Sequence, residues 1–286
     1  MTVLEVIQRS AEFLTKKGVE SPRLQVELLL AHLLAMPRMK LYLSFERVLT
    51  ESELAQLRQL VKRRGNREPL QHIVGTTNFC GLEFAVDRRV LIPRPETEIL
   101  AERAWKFLHL RSEKTKRTRA LDFGTGSGCL AVLLAVKSQA TDVHAVDVSA
   151  DALGIARENA LRHSVGDRIT FHQGDGFSAL GARAGFDLIV ANPPYIPSEE
   201  ILSLEPEVRD HDPKLALDGG ADGLDFYRML SAEAKSRLLD EGRLILEFGE
   251  GQAEKIREIF EEQKWIVEAM ERDYTQRLRF LTARPK

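Results

Sequence analysis

The sequence contains few of the residues that define several large classes of protein. Only two of its 286 residues are cysteines, Cys80 and Cys129, and they lie far apart without metal-ligand spacing, so we expect no disulfide framework. The seven histidines form no H-x-x-x-H pair, and no metal site is expected. Long apolar runs and a signal-peptide core are also missing. We therefore expect a cytoplasmic protein that does not associate with membranes.

An excess of charge of one sign is missing too. The formal net charge is −2, which argues against direct binding of nucleic acid, because phosphate contacts demand basic surface. Residues 1–72 nevertheless hold 12 Lys and Arg against 8 Glu, with the basic residues concentrated in "KRRGNR" at 62–67. This cluster is either a solvated helix end or a docking surface for an acidic partner.

Glycine and proline are scarce in the first 64 residues, which contain one glycine and two prolines. Apolar residues recur there at helical spacing. Ser21-Pro22 resembles an N-cap followed by proline at the first helical position, and Thr50 with Glu53 has the spacing of a capping box. The pattern predicts a small all-helical domain over residues 1–72.

The remainder of the chain predicts a hairpin and then an α/β domain. β-forming residues broken by glycine favour a β-hairpin linker over 73–92. Over 93–286, short apolar runs alternate with helical stretches, which favours a doubly wound sheet. The predicted strands are 119–123, 142–146, 169–173, 186–191, 244–248, 265–270 and 277–282, and the predicted helices are 127–138, 150–163, 223–240 and 251–264. The last two strands are too close for a crossover, so they should pair antiparallel and make the sheet mixed.

The ends of the first three strands carry residues suited to a nucleotide-like ligand. Gly124, Gly126 and Gly128 follow the first strand and allow a ligand to approach backbone N–H groups. Their spacing is G-x-G-x-G, whereas the dinucleotide fingerprint is G-x-G-x-x-G. Asp147 ends the second strand and could bind a ribose, although it could also cap the next helix, a role open to Ser149 as well. The sequence after the third strand, "QGDGF" at 173–177, could meet an adenine or simply turn.

The fourth strand ends in "ANPPYI", residues 191–196. Prolines fix their own φ and restrict the residue before them, so the backbone is stiff where it leaves the sheet. Asn192 and the carbonyl of Pro193 offer hydrogen-bond acceptors, and Tyr195 adds a flat amphipathic surface. Such a site suits a planar –NH2 group.

Together with "VLIPRPETE" at 90–98 and "LALDGGADGLDFYR" at 215–228, these motifs resemble the HemK/PrmC family, the peptide chain release factor glutamine methyltransferases. The resemblance covers essentially the whole chain. It implies a class I, Rossmann-like S-adenosylmethionine methyltransferase domain behind a substrate-docking helical domain. The implied reaction is methylation of the side-chain amide nitrogen of the glutamine in the Gly-Gly-Gln motif of release factors.

The resemblance also implies residue roles. The cofactor would lie along Gly124, Thr125, Gly126, Ser127, Gly128, Asp147, Gly176 and Asn192; the glutamine would be held by Asn192, Pro193, Pro194 and Tyr195, of which Asn192, Pro193 and Tyr195 are the catalytic candidates. Family members often place a large aromatic where Gly176 stands, so Asp175, Gly176 or Phe177 remains open as the adenine contact. Arg94 and Glu96 either only start a helix or also lie near the cofactor or the substrate. The "DGGADG" segment is a flexible loop or a lid over the substrate.

Other functions remain open. The same site would methylate a glutamine of a ribosomal protein, or an amino group of adenine or guanine, and "RSEKTKRTR" at 111–119 keeps nucleic acid in view. A non-catalytic adaptor would need neither the glycine loop nor Asn-Pro-Pro-Tyr. An NAD-dependent oxidoreductase is disfavoured by the glycine spacing.

Overall fold

The computed structural model describes residues 1–181 and 185–286. Its α-helices are α1 (Val3–Lys16), α2 (Pro22–Leu33), α3 (Arg38–Leu41), α4 (Glu51–Gly65), α5 (Leu70–Val74), α6 (Pro95–Thr115), α7 (Cys129–Lys137), α8 (Ala150–Arg162), α9 (Pro206–Arg209), α10 (Asp225–Glu233) and α11 (Ala253–Glu262). Its strands are β1 (Thr76–Phe79), β2 (Leu82–Ala85), β3 (Thr118–Phe123), β4 (Thr141–Asp147), β5 (Ile169–Gln173), β6 (Phe186–Ala191), β7 (Leu238–Glu247), β8 (Trp265–Arg272) and β9 (Leu278–Pro285). Within these described ranges, each helix is too short or too polar to cross a bilayer.

The chain divides into two compact units. The first comprises Met1–Thr76 with Glu205–His211, and the second comprises Thr77–Leu204 with Asp212–Lys286. The core of the first unit is built by apolar faces of its helices, and Leu14 and Leu29 are fully buried there. The predicted helical character of the N-terminal region is thus confirmed, whereas the proposed domain limits at 72 and 92 stay predictions.

The two helix starts predicted in this unit differ in outcome. The capping box is confirmed: the Thr50 hydroxyl accepts from the Glu53 N–H at 3.2 Å, and the Glu53 carboxylate accepts from the Thr50 N–H at 2.8 Å. The predicted helix start is confirmed, with Pro22 as the first residue of α2, but the side-chain cap expected from Ser21 is absent. Ser21 has a left-handed backbone with φ of 46° and makes no capping hydrogen bond, because a cap needs an extended backbone to aim its side chain at the helix.

The basic cluster at 62–67 is largely neutralised inside the first unit. Arg63 binds Glu68 at 2.5 Å, and Arg64 and Arg67 bind Glu207 at 2.8 and 2.5 Å. Glu207 lies in α9, so it reaches this unit from the segment between β6 and β7. The cluster is therefore mainly an internal ion-pair network, and its formal charge overstates the basic surface available to a partner.

The second unit is built on one seven-stranded mixed sheet in the order β5-β4-β3-β6-β7-β9-β8. β3, β4, β5, β6 and β7 run parallel to one another, while β9 is antiparallel to both β7 and β8. The predicted doubly wound sheet and the antiparallel pairing at its C-terminal end are both confirmed. The chain runs outward from β3 through β4 to β5, and then returns to the other side of β3 as β6.

Two elements of this unit differ from their prediction. The helix expected over 223–240 ends at Glu233, and β7 begins at Leu238 because this residue pairs with Phe186 of β6. Pairing with a buried strand here overrides the local helical pattern. The 21-residue α6 was predicted only by its start, where Pro95 occupies the first turn with Glu96 and Glu98.

The predicted hairpin is present as β1 and β2, joined at Cys80 and Gly81 with φ of 49° and 79°. Asn159 of α8, which is fully buried, fastens β2 to the rest of the second unit. Its side-chain N–H groups donate to the carbonyls of Ala85 at 3.0 Å and Ser127 at 2.9 Å, and its oxygen accepts from the Ala85 N–H at 2.7 Å. One amide side chain thereby braces both the hairpin and the glycine loop.

We expect Asn159→Ala to lower the free energy of unfolding by about 3 kcal/mol, because it leaves three buried backbone groups without their partner. Urea denaturation measures the loss. The matched control is Glu158→Ala at the exposed neighbouring position, for which we expect a change within about 0.5 kcal/mol. Equal stability of the two variants would show that water replaces the amide without cost.

Candidate functional site

Two loops begin side by side at the centre of the sheet. β3 and β6 are parallel neighbours, and their last residues, Phe123 and Ala191, are register partners. Gly124 and Asn192 therefore leave the sheet from the same edge and the same level. The sheet reverses its order between these two strands, the position where open α/β sheets bind ligands. The glycine loop and Asn-Pro-Pro-Tyr are thus brought together as predicted.

The glycine loop uses left-handed backbone at Gly124, Gly126 and Gly128, with φ of 71°, 53° and 79°. An added Cβ at Gly124 or Gly126 would meet no atom within 4 Å, so the space beside these two glycines is open. At Gly128 it would lie 2.9 Å from the Cβ of Ala156, which lets α7 and α8 approach closely. The first two glycines fit a cradle for a ligand, and the third is needed for packing.

Asp147 lies beside this loop, because β4 flanks β3 on its other side. Its carboxylate accepts from the N–H of Gly126 at 2.8 Å and from the N–H of Ser149 at 2.9 Å. Ser149 is the N-cap of α8 and accepts from the Ala152 N–H at 3.1 Å. Asp147 is therefore free of the capping role, and each of its oxygens retains a further acceptor site.

Asp122, near the end of β3, is a candidate site residue that sequence reasoning missed. Its Oδ2 accepts from the Thr125 hydroxyl at 2.6 Å and from the Ala131 N–H at 3.0 Å. Its Oδ1 is buried without a hydrogen-bond partner in the described part of the chain. Burial raises the pKa of this carboxyl to about 7. A buried acid whose pKa is shifted, beside a glycine loop, is a candidate for a functional role.

The residues after β5 divide between surface and core. Asp175 is exposed, whereas Phe177 is buried and packs on Phe123 with ring centroids 4.9 Å apart. Gly176 has φ of 55°, and an added Cβ would lie 3.2 Å from the Phe123 ring. The aromatic ring of Phe177 is therefore part of the hydrophobic core. Which of the three residues contacts an adenine stays a prediction.

The side chain of Asn192 is hydrogen-bonded to Thr97, which is hydrogen-bonded in turn to Glu247. Its Nδ2 donates to the Thr97 hydroxyl at 2.9 Å, and that hydroxyl donates to Oε2 of Glu247 at 2.9 Å. Thr97 is in the first turn of α6, and Glu247 ends β7. Thr97 belongs to the "RPETE" motif, so this motif does more than start a helix. Neither Thr97 nor Glu247 was among the predicted site residues.

Two further acids near the site are held in low-dielectric surroundings. Burial raises the pKa of Glu247 to about 7 and that of Asp212 to about 6. Asp212 binds the guanidinium of Arg94 at 2.6 Å. The structure thus ties Arg94 to a buried acid, while the predicted roles of Arg94 and Glu96 toward a ligand stay predictions.

Tyr195 is contacted by two residues from the C-terminal part of the chain, Gln252 and Arg279. Gln252 Nε2 donates to the Tyr195 carbonyl at 2.9 Å and to the Gly223 carbonyl at 3.2 Å. The Arg279 guanidinium lies 6.0 Å from the centre of the Tyr195 ring. Burial raises the pKa of the Tyr195 hydroxyl, so the ring enters any reaction as a neutral phenol.

The "DGGADG" segment packs directly against Asn-Pro-Pro-Tyr. An added Cβ at Gly219 would lie 2.9 Å from the Pro194 carbonyl oxygen, and one at Gly223 would lie 2.3 Å from the Tyr195 carbonyl oxygen. The Ile196 N–H donates to Leu217 at 3.0 Å, which continues the contact as a short bridge. These glycines are required for close backbone approach, so the segment supports the site structurally.

Comparison with known proteins adds independent findings. The family model of the PrmC N-terminal domain matches residues 5–75, and that of the methyltransferase small domain matches residues 103–203. The chain is similar to a release factor glutamine methyltransferase of Geobacter sulfurreducens, with 45% identity over 259 residues covering 91% of this chain and 88% of the relative. A release factor glutamine methyltransferase of Chlorobaculum tepidum is 42% identical over 262 residues, covering 90% and 89%.

A solved structure supports the fold. The N-terminal domain of human METTL16 in complex with SAH superposes with a TM-score of 0.51 at 18% identity, covering 71% of this chain and 76% of that one. At this identity the likeness concerns the fold alone. It agrees with the predicted methyltransferase architecture of the second unit.

Two glycine variants distinguish the energetic cost of backbone strain from the cost of losing close packing against Asn-Pro-Pro-Tyr. Gly223 and Gly251 both have positive φ, of 74° and 80°, so alanine at either costs about 1 kcal/mol. A Cβ at Gly251 meets nothing within 4 Å, unlike one at Gly223. We expect Gly223→Ala to lower the free energy of unfolding by about 2 kcal/mol more than Gly251→Ala, measured by urea denaturation. Equal losses would mean that the segment moves away from Tyr195 freely.

Proposed function

This chain belongs to the family of release factor glutamine methyltransferases, and we propose that it methylates the side-chain amide nitrogen of the glutamine in the Gly-Gly-Gln motif of peptide chain release factors. The resemblance predicted from the sequence is confirmed by relatives that are more than 40% identical over about nine-tenths of the chain. The single structural observation that carries the proposal is the pairing of Phe123 with Ala191, which sets the glycine loop beside Asn192.

We propose S-adenosylmethionine as the methyl donor. When bound, it supplies a methyl group activated by an adjacent sulfonium. The residues fit such a group: Gly124 and Gly126 leave open space beside the backbone, and Asp147 has acceptor capacity for the two hydroxyls of a ribose. Thr125, Ser127 and Gly128 complete the turn that would hold the methionine end. The Oδ1 of Asp122, which has no hydrogen-bond partner among the described residues, is a further polar group in this region.

The substrate side would be formed by Asn192, Pro193, Pro194 and Tyr195. An amide nitrogen is a poor nucleophile because its lone pair is delocalised into the carbonyl. Acceptance of its N–H bonds by the Asn192 oxygen and the Pro193 carbonyl would hold the amide flat and raise the electron density on nitrogen. The same acceptors would stabilise the positive charge that develops there during transfer. Tyr195 would cover one face of the amide.

The names of the relatives favour a release factor over the other substrates of the same site class. The direct test offers labelled S-adenosylmethionine together with a release factor, ribosomal proteins or nucleic acid. Label in the release factor glutamine is expected, and label confined to nucleic acid would overturn the proposal. Because release factors act in the cytoplasm, we propose that compartment for the enzyme.

We propose that the first unit docks the release factor. Although the 62–67 cluster is largely neutralised, its first residue, Lys62, lines a groove between α1 and α4. This groove has an apolar floor and a basic rim, formed by Val6, Leu57, Val61, Arg9, Arg58 and Lys62. An apolar floor with a basic rim suits an acidic, partly apolar surface of a protein partner.

Asn192→Ala and Asp147→Ala should fail in opposite ways. We expect Asn192→Ala to lower single-turnover methyl transfer roughly 10²–10³-fold, because it removes an acceptor aimed at developing charge, while most of the affinity for S-adenosylmethionine persists. Asp147→Ala should weaken that affinity by about 1.5–3 kcal/mol through its lost charged hydrogen bonds. Calorimetry and rapid quench measure the two effects.

The control for both is Asp151→Ala, an exposed acid in the first turn of α8, which should change neither quantity. If Asn192→Ala transferred the methyl group at the wild-type rate, Asn192 would have no catalytic role. Unchanged affinity of Asp147→Ala would remove Asp147 from the cofactor site.

Charge reversal tests the docking groove in the full-length chain. We expect Lys62→Glu to raise the KM for the release factor roughly fivefold or more, because it repels an acidic partner, with kcat and cofactor affinity unchanged. Lys40→Glu reverses a charge that is also exposed, in α3 outside the groove, and serves as the control. Equal KM values for the two variants would place the docking surface elsewhere.

A further inference from the structure

Three side chains from three separate elements form one hydrogen-bonded chain behind the substrate site. Asn192 follows β6, Thr97 lies in the first turn of α6, and Glu247 ends β7. The two distances, Asn192 Nδ2 to Thr97 Oγ1 and Thr97 Oγ1 to Glu247 Oε2, are both 2.9 Å. Thr97 and Glu247 are 2% and 1% exposed, so water does not compete for these bonds.

The chain has only one direction while Glu247 is ionised. A carboxylate can only accept, so the single hydroxyl hydrogen of Thr97 is donated to it. Thr97 is then left with lone pairs toward Asn192, and only the –NH2 end of the Asn192 amide can bind them. The carbonyl end of Asn192 must therefore be the end left for another partner.

We propose that Thr97 and Glu247 are positioning residues that fix the amide of Asn192 with its carbonyl oxygen toward the substrate nitrogen. This inference rests on the proposed function, in which the substrate glutamine presents N–H groups. An Asn192 rotated by 180° about its amide would present N–H donors to those N–H groups, and neither side could accept. The direction of the hydrogen-bonded chain decides which end is presented.

The same logic gives the arrangement a pH dependence. Burial outweighs the neighbouring charges and raises the pKa of Glu247 to about 7. The groups that face it are Thr97, Arg94, Glu96, Arg279, Tyr195 and the Tyr227 hydroxyl, which donates to the Glu247 backbone carbonyl. As the pH falls through about 7, Glu247 takes up a proton and can donate to Thr97. The Thr97 hydrogen is then released toward Asn192, and the opposite amide orientation becomes available.

The first test compares Thr97→Val with Thr97→Ser. Valine matches threonine in shape but lacks the hydroxyl, whereas serine keeps it. We expect Thr97→Val to lower kcat toward a release factor roughly 10²-fold, as a misoriented reacting group does, with calorimetric affinity for S-adenosylmethionine within twofold of wild type. Thr97→Ser should restore most of kcat. A Thr97→Val enzyme with wild-type kcat would overturn the proposal.

The second test is the pH profile of Glu247→Gln, whose stability is measured alongside by urea denaturation. The wild-type kcat should fall as the pH drops through the pKa of Glu247, as for a single titrating group, and level off near the kcat of Glu247→Gln, because protonated Glu247 can also donate as well as accept. Glu247→Gln should lack this acidic limb and show a lower plateau, because glutamine can donate as well as accept. An acidic limb that persists unchanged in Glu247→Gln would overturn the inference. If wild-type enzyme failed to methylate release factor at any pH, the proposed function would fail instead.

Discussion

The register between β3 and β6 is the constraint on which the site depends. Their terminal residues, Phe123 and Ala191, are paired, so the glycine loop and Asn-Pro-Pro-Tyr begin at the same level of the sheet. All six residues of β6 are buried, and a one-residue slip would turn each side chain to the opposite face, into close-packed core space that another residue fills. The hydrophobic core therefore specifies the register, and through the register it specifies the spacing between the two halves of the site.

At this edge of the sheet, Asn-Pro-Pro-Tyr is held in place by contacts from residues that are distant in the sequence. Thr97 holds the Asn192 side chain, Gln252 holds the Tyr195 carbonyl, and the glycines at 219 and 223 allow close backbone approach. The glycine loop has its own supports in Asp122 and Asn159. Each support lies in the second unit, which is built on this sheet, so the rigidity of the site follows from the fold rather than from the prolines alone.

Local sequence patterns predicted the strands, because apolar residues in strands and helices recur with characteristic periods. They also predicted the loops at the strand ends, because these loops use turn-forming residues. Thr97 and Glu247 were not predictable in this way. Thr97 is 95 residues from Asn192 and 150 from Glu247, and no periodicity links them. Asn159 was hidden for a related reason, since its three partners are backbone groups that carry no residue-specific signal. The helix predicted over 223–240 failed where strand pairing at Leu238 prevailed over a local pattern.

The basic surface of the helical unit was also not predictable from the sequence. Counting residues 1–72 gave a basic excess centred on 62–67, yet Arg64 and Arg67 pair with Glu207, about 140 residues further along. Arg64 is itself buried, and a buried guanidinium that loses its carboxylate is strongly destabilising. The first unit is therefore complete only with Glu205–His211, so a chain cut near residue 72 would separate partners that stabilise each other. Single charge reversals on the intact chain are for this reason the appropriate way to separate docking from folding.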